Sequence, residues 1–256
     1  MSDIGRVTII PVDGLPEIEP GDPLEAMIAE RIQSAAGGVE PGDIVVVTHK
    51  IISKAEGRLV ALDAVEPSAL ATSIASEFGK DARHVEVVLR ESRRIVRMDR
   101  GHIIAETRHG FICANAGVDG SNIAEGTLSL LPEDPDASAA RIRERLIAGI
   151  PGDSDLGVVV TDSFGRPWRN GIVNVAIGVS GVPAVADYRG EFDAAGHELR
   201  STVLAVADEL ASAAELVMHK VSGIPVAVIR GYAWQMEGRP GTGADLVMPA
   251  ERDLFR

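Results

Sequence analysis

Interleaved strands and helices, with mixed sheets covered by helices on the outside, are the expectation from this sequence, and three observations carry it. Short apolar, largely β-branched runs recur at residues 7–10, 44–47, 157–160 and 225–229, too short for stable helices and bounded by polar or turn residues. Between them lie segments whose apolar residues fall at helical spacing, with recognisable starts and stops. Glycine and proline punctuate the joins. Spacing alone admits an α/β sheet as readily as an α+β arrangement.

The elements follow in order. Residues 7–10 read as a strand ended by Pro11, followed by a loop over 14–21. Asp22 is expected as an N-cap, with Pro23 at the first helical position and Glu25 at capping-box spacing. Leu24, Met27, Ile28 and Ile32 share that helix's face, and Gly37 and Gly38 close it. The unbroken apolar run 44–47 suggests a strand covered on both faces. A helix through Leu70, Ile74 and Phe78 ends at Gly79, and residues 85–89 read as a strand. A helix from about residue 138 to 148 stops at Gly149 and Pro151, with Arg141, Arg143 and Arg145 on a solvated face. Strands are expected over 173–179 and 184–187, the longest helix over 201–220, a final core strand over 225–229, and a flexible loop over 238–243.

Length and charge bound the rest. A chain of 256 residues buries an ample core as one large domain or two small ones, and is read here as a single domain over 1–256. With 38 acids against 25 bases, the net charge of −13 argues against a general nucleic-acid or anionic-membrane partner, which needs a positive field. An anionic small substrate would need a local basic pocket. Cys113 is the only cysteine, so neither an intramolecular disulfide nor a cysteine zinc site is available, which suits a cytosol. The first residues lack a signal pattern, and no apolar run approaches the roughly twenty residues of a bilayer span. The reading is cytoplasmic.

Candidate chemistry gathers in a few stretches. Around Gly157 to Asn170 an apolar run stops at Asp162 and Ser163, then turns into a loop bearing Arg166 and Arg169. An acid followed by a hydroxyl at a strand end can hold a divalent cation through hard oxygen ligands, or cap a turn. The two arginines can grip phosphate or carboxylate, or form surface ion pairs. Lys50 and Lys54, one helical turn apart beyond the 44–47 strand, can hold phosphates together or form a solvated face. Asp119, with Gly120 and Asn122 after it, repeats the strand-then-acid pattern, and reads as a turn or as a second carboxylate for a nucleotide-bound ion. Arg90, Arg93, Arg94, Arg97 and Arg100 form the strongest basic cluster, able to steer an anion or pair with nearby acids, with the balance toward an anion.

Taken together, Gly14-Leu15-Pro16-Glu17, Lys50-Ile51-Ile52-Ser53-Lys54-Ala55-Glu56-Gly57-Arg58, Gly117-Val118-Asp119-Gly120-Ser121-Asn122 and Asp162-Ser163-Phe164-Gly165-Arg166-Pro167-Trp168-Arg169 resemble the signature set of the coenzyme F420-0:L-glutamate ligase family. The resemblance spans nearly the whole chain. It implies an α+β fold and a GTP-dependent ligase that adds L-glutamate to coenzyme F420-0 and then further γ-linked glutamates, through an acyl phosphate. It also implies magnesium or manganese ions, two of them, a potassium ion, and a homodimer with the site near the subunit contact. Asp119, Asp162 and Ser163 match metal-ligand positions, and Leu15, Pro16, Glu17, Ile18, His49, Lys50, Lys54 and Asn122 match nucleotide-contacting positions. Asp119, Asp162 and Lys54 stand for the catalytic charges. His49 and His219 depart from the residues expected at their positions. The flavin-dependent reductase domain fused to some relatives is not expected before the sequence ends at Arg256. A related ligase using another acceptor, a binding module without turnover and a phosphotransferase are the alternatives. The last would consume GTP without glutamate.

Overall fold

The structure is a computed structural model, and it describes residues 5–150, 155–234 and 239–254. Its elements in chain order are β1 (Thr8–Val12), α1 (Leu24–Ala36), β2 (Ile44–Thr48), α2 (His49–Ala55), β3 (Leu59–Ala61), α3 (Ala69–Phe78), α4 (Ala82–Glu91), β4 (Ser92–Asp99), β5 (His102–Thr107), β6 (Ile112–Ala114), β7 (Thr127–Ser129), α5 (Pro135–Ile147), β8 (Gly157–Arg166), β9 (Arg169–Ser180), β10 (Ala186–Asp187), β11 (Val203–Leu204), α6 (Val206–Met218) and β12 (Val226–Arg230). The expected stop at Pro151 and the first residue of the expected loop at Gly238 lie outside the described residues.

A five-stranded sheet in the order β1-β12-β2-β8-β9 forms the centre. Only β2 and β8 run parallel; every other neighbouring pair in it is antiparallel. The architecture is therefore α+β with a mixed sheet. Strand alternation sorts β2 between two cores: Val45 and Val47 face α1 and α5, whereas Ile44 and Val46 face α6. Both faces are thus covered, as the unbroken apolar run required. A third core joins α3 and α4 to β5 through Ala71, Ile74, Val85, Val88, Ile103 and Ala105. It sits with a three-stranded sheet β4-β5-β6 and the short pair β3-β7. Among the described residues no helix is long and apolar enough to cross a membrane.

Several boundaries differ from expectation for local reasons. Pro11 lies inside β1, where an edge strand tolerates a residue with no N–H to give. Asp22 does not cap α1: its carboxylate accepts from the Glu19 amide at 2.8 Å, and the helix begins after Pro23 without a side-chain cap. Residues 85–89 belong to helix α4, not to a strand, and Asp81 caps that helix by accepting from the Arg83 amide at 2.8 Å. Helix α5 starts earlier than expected, because Asp134 caps it and Pro135 opens it. Helix α6 starts later, since residues 203–204 pair with β10.

Strand β8 also runs on past its apolar part. It continues to Arg166 and turns through Pro167 and Trp168 into β9, so Asp162 is not at the end of its strand. What ends there is the neighbour: Thr48, the last residue of β2, pairs with Thr161. Beyond that point one side of β8 has no partner strand.

Candidate active site

The gap beside β8 opens into a cleft of about 620 Å³. Every residue matched to a metal-ligand or nucleotide-contacting position lines it: Leu15 to Ile18 from the loop after β1, His49, Lys50 and Lys54 from α2, Asp119 and Asn122 from the turn before β7, and Asp162 and Ser163 from β8. The fold explains the convergence. Helix α2 begins where β2 ends, so its first residues stand over the unpaired side of β8. Asp119 arrives through three successive left-handed residues, Asn115, Ala116 and Gly117, with φ of 53°, 52° and 75°. Left-handed backbone at non-glycine residues costs about 1–2 kcal/mol each, which the packing of buried Ala116 must hold in place.

Charge in the cleft is paired. Lys50 Nζ donates to Asp119 Oδ2 at 2.6 Å, to the Ser121 carbonyl at 2.7 Å and to Ser121 Oγ at 2.8 Å. Burial opposes ionisation of Asp119, but Lys50 and the Ser121 hydroxyl and amide outweigh it and hold its carboxyl down at about 2. Lys54 pairs with Glu17 of the β1 loop. Asp162 is mostly buried, which again opposes its charge; His49, the Ser163 amide at 2.6 Å and Lys220 more than compensate and keep it below the ordinary carboxylate range. His49 Nε2 lies 3.3 Å from Asp162 Oδ1, and its Nδ1 lies 3.2 Å from Ser53 Oγ. Cys113 is chemically quiet: burial, with Asp162 adding to it, pushes its thiol up to about 12.

The donor set suits a hard divalent ion. Two carboxylates and a hydroxyl offer only oxygen, and the buried Thr161 hydroxyl, which also lines the cleft, has no hydrogen-bond partner among the described residues. No group of three or more His, Cys, Asp or Glu converges in metal-binding fashion among those residues. Such a site fits an ion that takes its remaining ligands from phosphate and water, as magnesium commonly does.

Among the cleft-lining residues that the motif reading left out are Asn174 on β9 and Glu215 on α6. An amide inside the apolar run 173–179 was the available signal for Asn174. Other basic residues go elsewhere. Arg166 donates to the Asn170 carbonyl at 3.3 Å within the β8–β9 turn, and neither it nor Arg169 lines the cleft. The 90–100 arginines pair with acids rather than awaiting an anion: Arg90 with Glu86, Arg93 and Arg94 with Glu106, Arg97 and Arg100 with Asp99.

Comparison with known proteins bears on this cleft. Residues 14–231 match the family model described as F420-0:Gamma-glutamyl ligase. The chain is 45% identical, over 100% of its own length and 100% of the relative's, to a protein of Methanopyrus kandleri named coenzyme F420:L-glutamate ligase. Proteins of the same name from Methanothermobacter thermautotrophicus and Archaeoglobus fulgidus are 42% and 43% identical; each alignment covers 98% of this chain, with 99% and 97% of the relatives covered respectively.

Proposed function

The chain belongs to the F420-0:gamma-glutamyl ligase family, and from that premise we propose that it joins L-glutamate to coenzyme F420-0, and then further glutamates through γ-linked amides, at the expense of GTP. The observation that carries this reading is the meeting, in one cleft, of two lysines from α2 with two carboxylates, one from the turn before β7 and one from β8.

In the proposed reaction the acceptor carboxylate attacks the γ-phosphorus of GTP and GDP departs, leaving an acyl phosphate. The glutamate amine then attacks the acyl carbon, loses its proton, and inorganic phosphate leaves. No side-chain nucleophile is required; position and field do the work. Asp119, Asp162 and Ser163 would hold divalent ions, magnesium or manganese, which neutralise phosphate charge as it shifts between oxygens. Lys50 and Lys54 offset the remaining negative charge, and both must exchange a carboxylate partner for phosphate to do so. The loop residues Leu15, Pro16, Glu17 and Ile18, together with Asn122, face the nucleotide in this reading, and a potassium ion and a homodimer complete it.

Purified protein supplied with GTP, Mn²⁺, L-glutamate and F420-0 should yield glutamyl adducts by mass spectrometry, with GTP consumed only when acceptor and glutamate are both present. GTP turnover without glutamate would instead support a phosphotransferase. Asp162→Ala should abolish ligation, and Lys54→Ala should raise the KM for GTP more than that for glutamate. Near wild-type turnover of Asp162→Ala at saturating metal would remove Asp162 from the site.

A further inference from the structure

Asn174 is 4% exposed in the middle of an apolar strand, and a buried amide is tolerated only when its polar atoms are satisfied. Its side chain meets that condition at both ends. Oδ1 accepts from Ser163 Oγ at 2.8 Å, and Nδ2 donates to Glu215 Oε2 at 3.0 Å. The main-chain carbonyl of Asn174 accepts from Ser212 Oγ at 2.7 Å, tying the residue to α6 a second time. Register places the partners. Ser163 and Asn174 are directly opposed in the β8–β9 ladder, so their side chains share the face on which α6 packs.

The direction of these bonds follows from chemistry. An ionised Glu215 can only accept, so the amide must turn its nitrogen to that side and its oxygen to Ser163. An amide oxygen can only accept in turn, so Ser163 spends its single proton on Asn174. We infer that Asn174 is a positioning residue for the ligation reaction: it fixes the proton of Ser163 inward, so that the hydroxyl shows the cleft only electron pairs, the polarity a cation ligand needs. The inference rests on the reading of Ser163 as an ion ligand.

The test is Mn²⁺ binding to the full-length protein in the presence of GDP, followed by electron paramagnetic resonance of the free ion, alongside steady-state kinetics. Asn174→Leu should weaken Mn²⁺ binding by about tenfold, the scale on which partners of metal ligands act. The KM for Mn²⁺ should rise in step while the KM for GTP stays at its wild-type value. Asn174→Asp retains the acceptor facing Ser163 but sets a carboxylate against Glu215, so it too should weaken binding. In a Glu215→Gln background, where glutamine can donate to the new carboxylate, the same Asn174→Asp change should cost markedly less. Unchanged Mn²⁺ affinity in Asn174→Leu, with circular dichroism like wild type, would overturn the inference, as would an equal cost of Asn174→Asp in both backgrounds. Ser163→Ala separates the two levels: if it leaves Mn²⁺ affinity unchanged, the ligand reading of Ser163 fails and the positioning role goes with it. If Ser163→Ala weakens binding and Asn174→Leu does not, only the positioning role is lost.

Discussion

At position 49 both nitrogens of a buried imidazole already have neighbours. Nε2 faces the Asp162 carboxylate, which can only accept, so that nitrogen is the donor of the contact, while Nδ1 lies against the Ser53 hydroxyl. The ring therefore braces Asp162, although its position matched a nucleotide contact in the family pattern. His49→Gln, which can still present a donor to Asp162, should retain most activity, whereas His49→Leu should lose about tenfold in kcat and gain in metal requirement. Equal activity of the two variants would show that the contact with Asp162 is idle. The other cleft residues were legible through their match to the family pattern: charge and spacing alone left Lys50 and Lys54 open to a solvated face and Asp119 and Asp162 open to turns. Asn174 and Glu215 were not, because each matters only through partners on another element.

Individual elements were legible where one periodicity dominated. Strand β2 was, since its unbroken apolar run is buried on both faces. Helix α4 was not: Val85, Val87 and Val88 are buried β-branched residues that suit a strand equally well, and the helix is decided by the Asp81 cap and by packing against α3. Strand β9 shows how elements at the sheet edge are joined. Its Ala176 and Val179 amides, without a strand to receive them, donate to Asp208 of α6 at 2.9 Å and Asp136 of α5 at 2.7 Å. Burial raises both carboxyls above their ordinary value in spite of these bonds. Between these two sites lies Gly178, where a Cβ would meet the Pro135 carbonyl oxygen at 2.4 Å. Gly178→Ala should push the start of α5 off β9 and cost about 1–3 kcal/mol, the usual range for overpacking. A urea midpoint that does not fall, with an unchanged slope, would show that α5 yields without loss.

Across the whole molecule, a chain of net charge −13 gathers Lys50, Lys54 and Lys220 in one cleft, beside Glu17, Asp119, Asp162 and Glu215, so an anionic substrate meets lysines there whose charge is countered by acids of the same cleft. Composition made the net charge visible, but not where the lysines would gather, because the cleft exists only once β2 stops short of β8. The other feature at this scale is apolar. The β8–β9 hairpin carries Trp168 and Ile172, 82% and 58% exposed, and the β10–β11 arm carries Phe192, Val203 and Leu204, 69%, 43% and 40% exposed. Exposed large apolar side chains are what an interface between copies would cover, and a stable one buries upward of about 1,000 Å². The proposed homodimer therefore predicts a mass of about twice 27.0 kDa by sedimentation equilibrium. Phe192→Glu, which sets a charge on the arm, should shift the equilibrium toward a single chain and lower activity as the protein is diluted, while saturating protein restores both. A wild type that sediments as one chain at every concentration used for turnover would remove the dimer from the reading and leave the cleft to work within a single subunit.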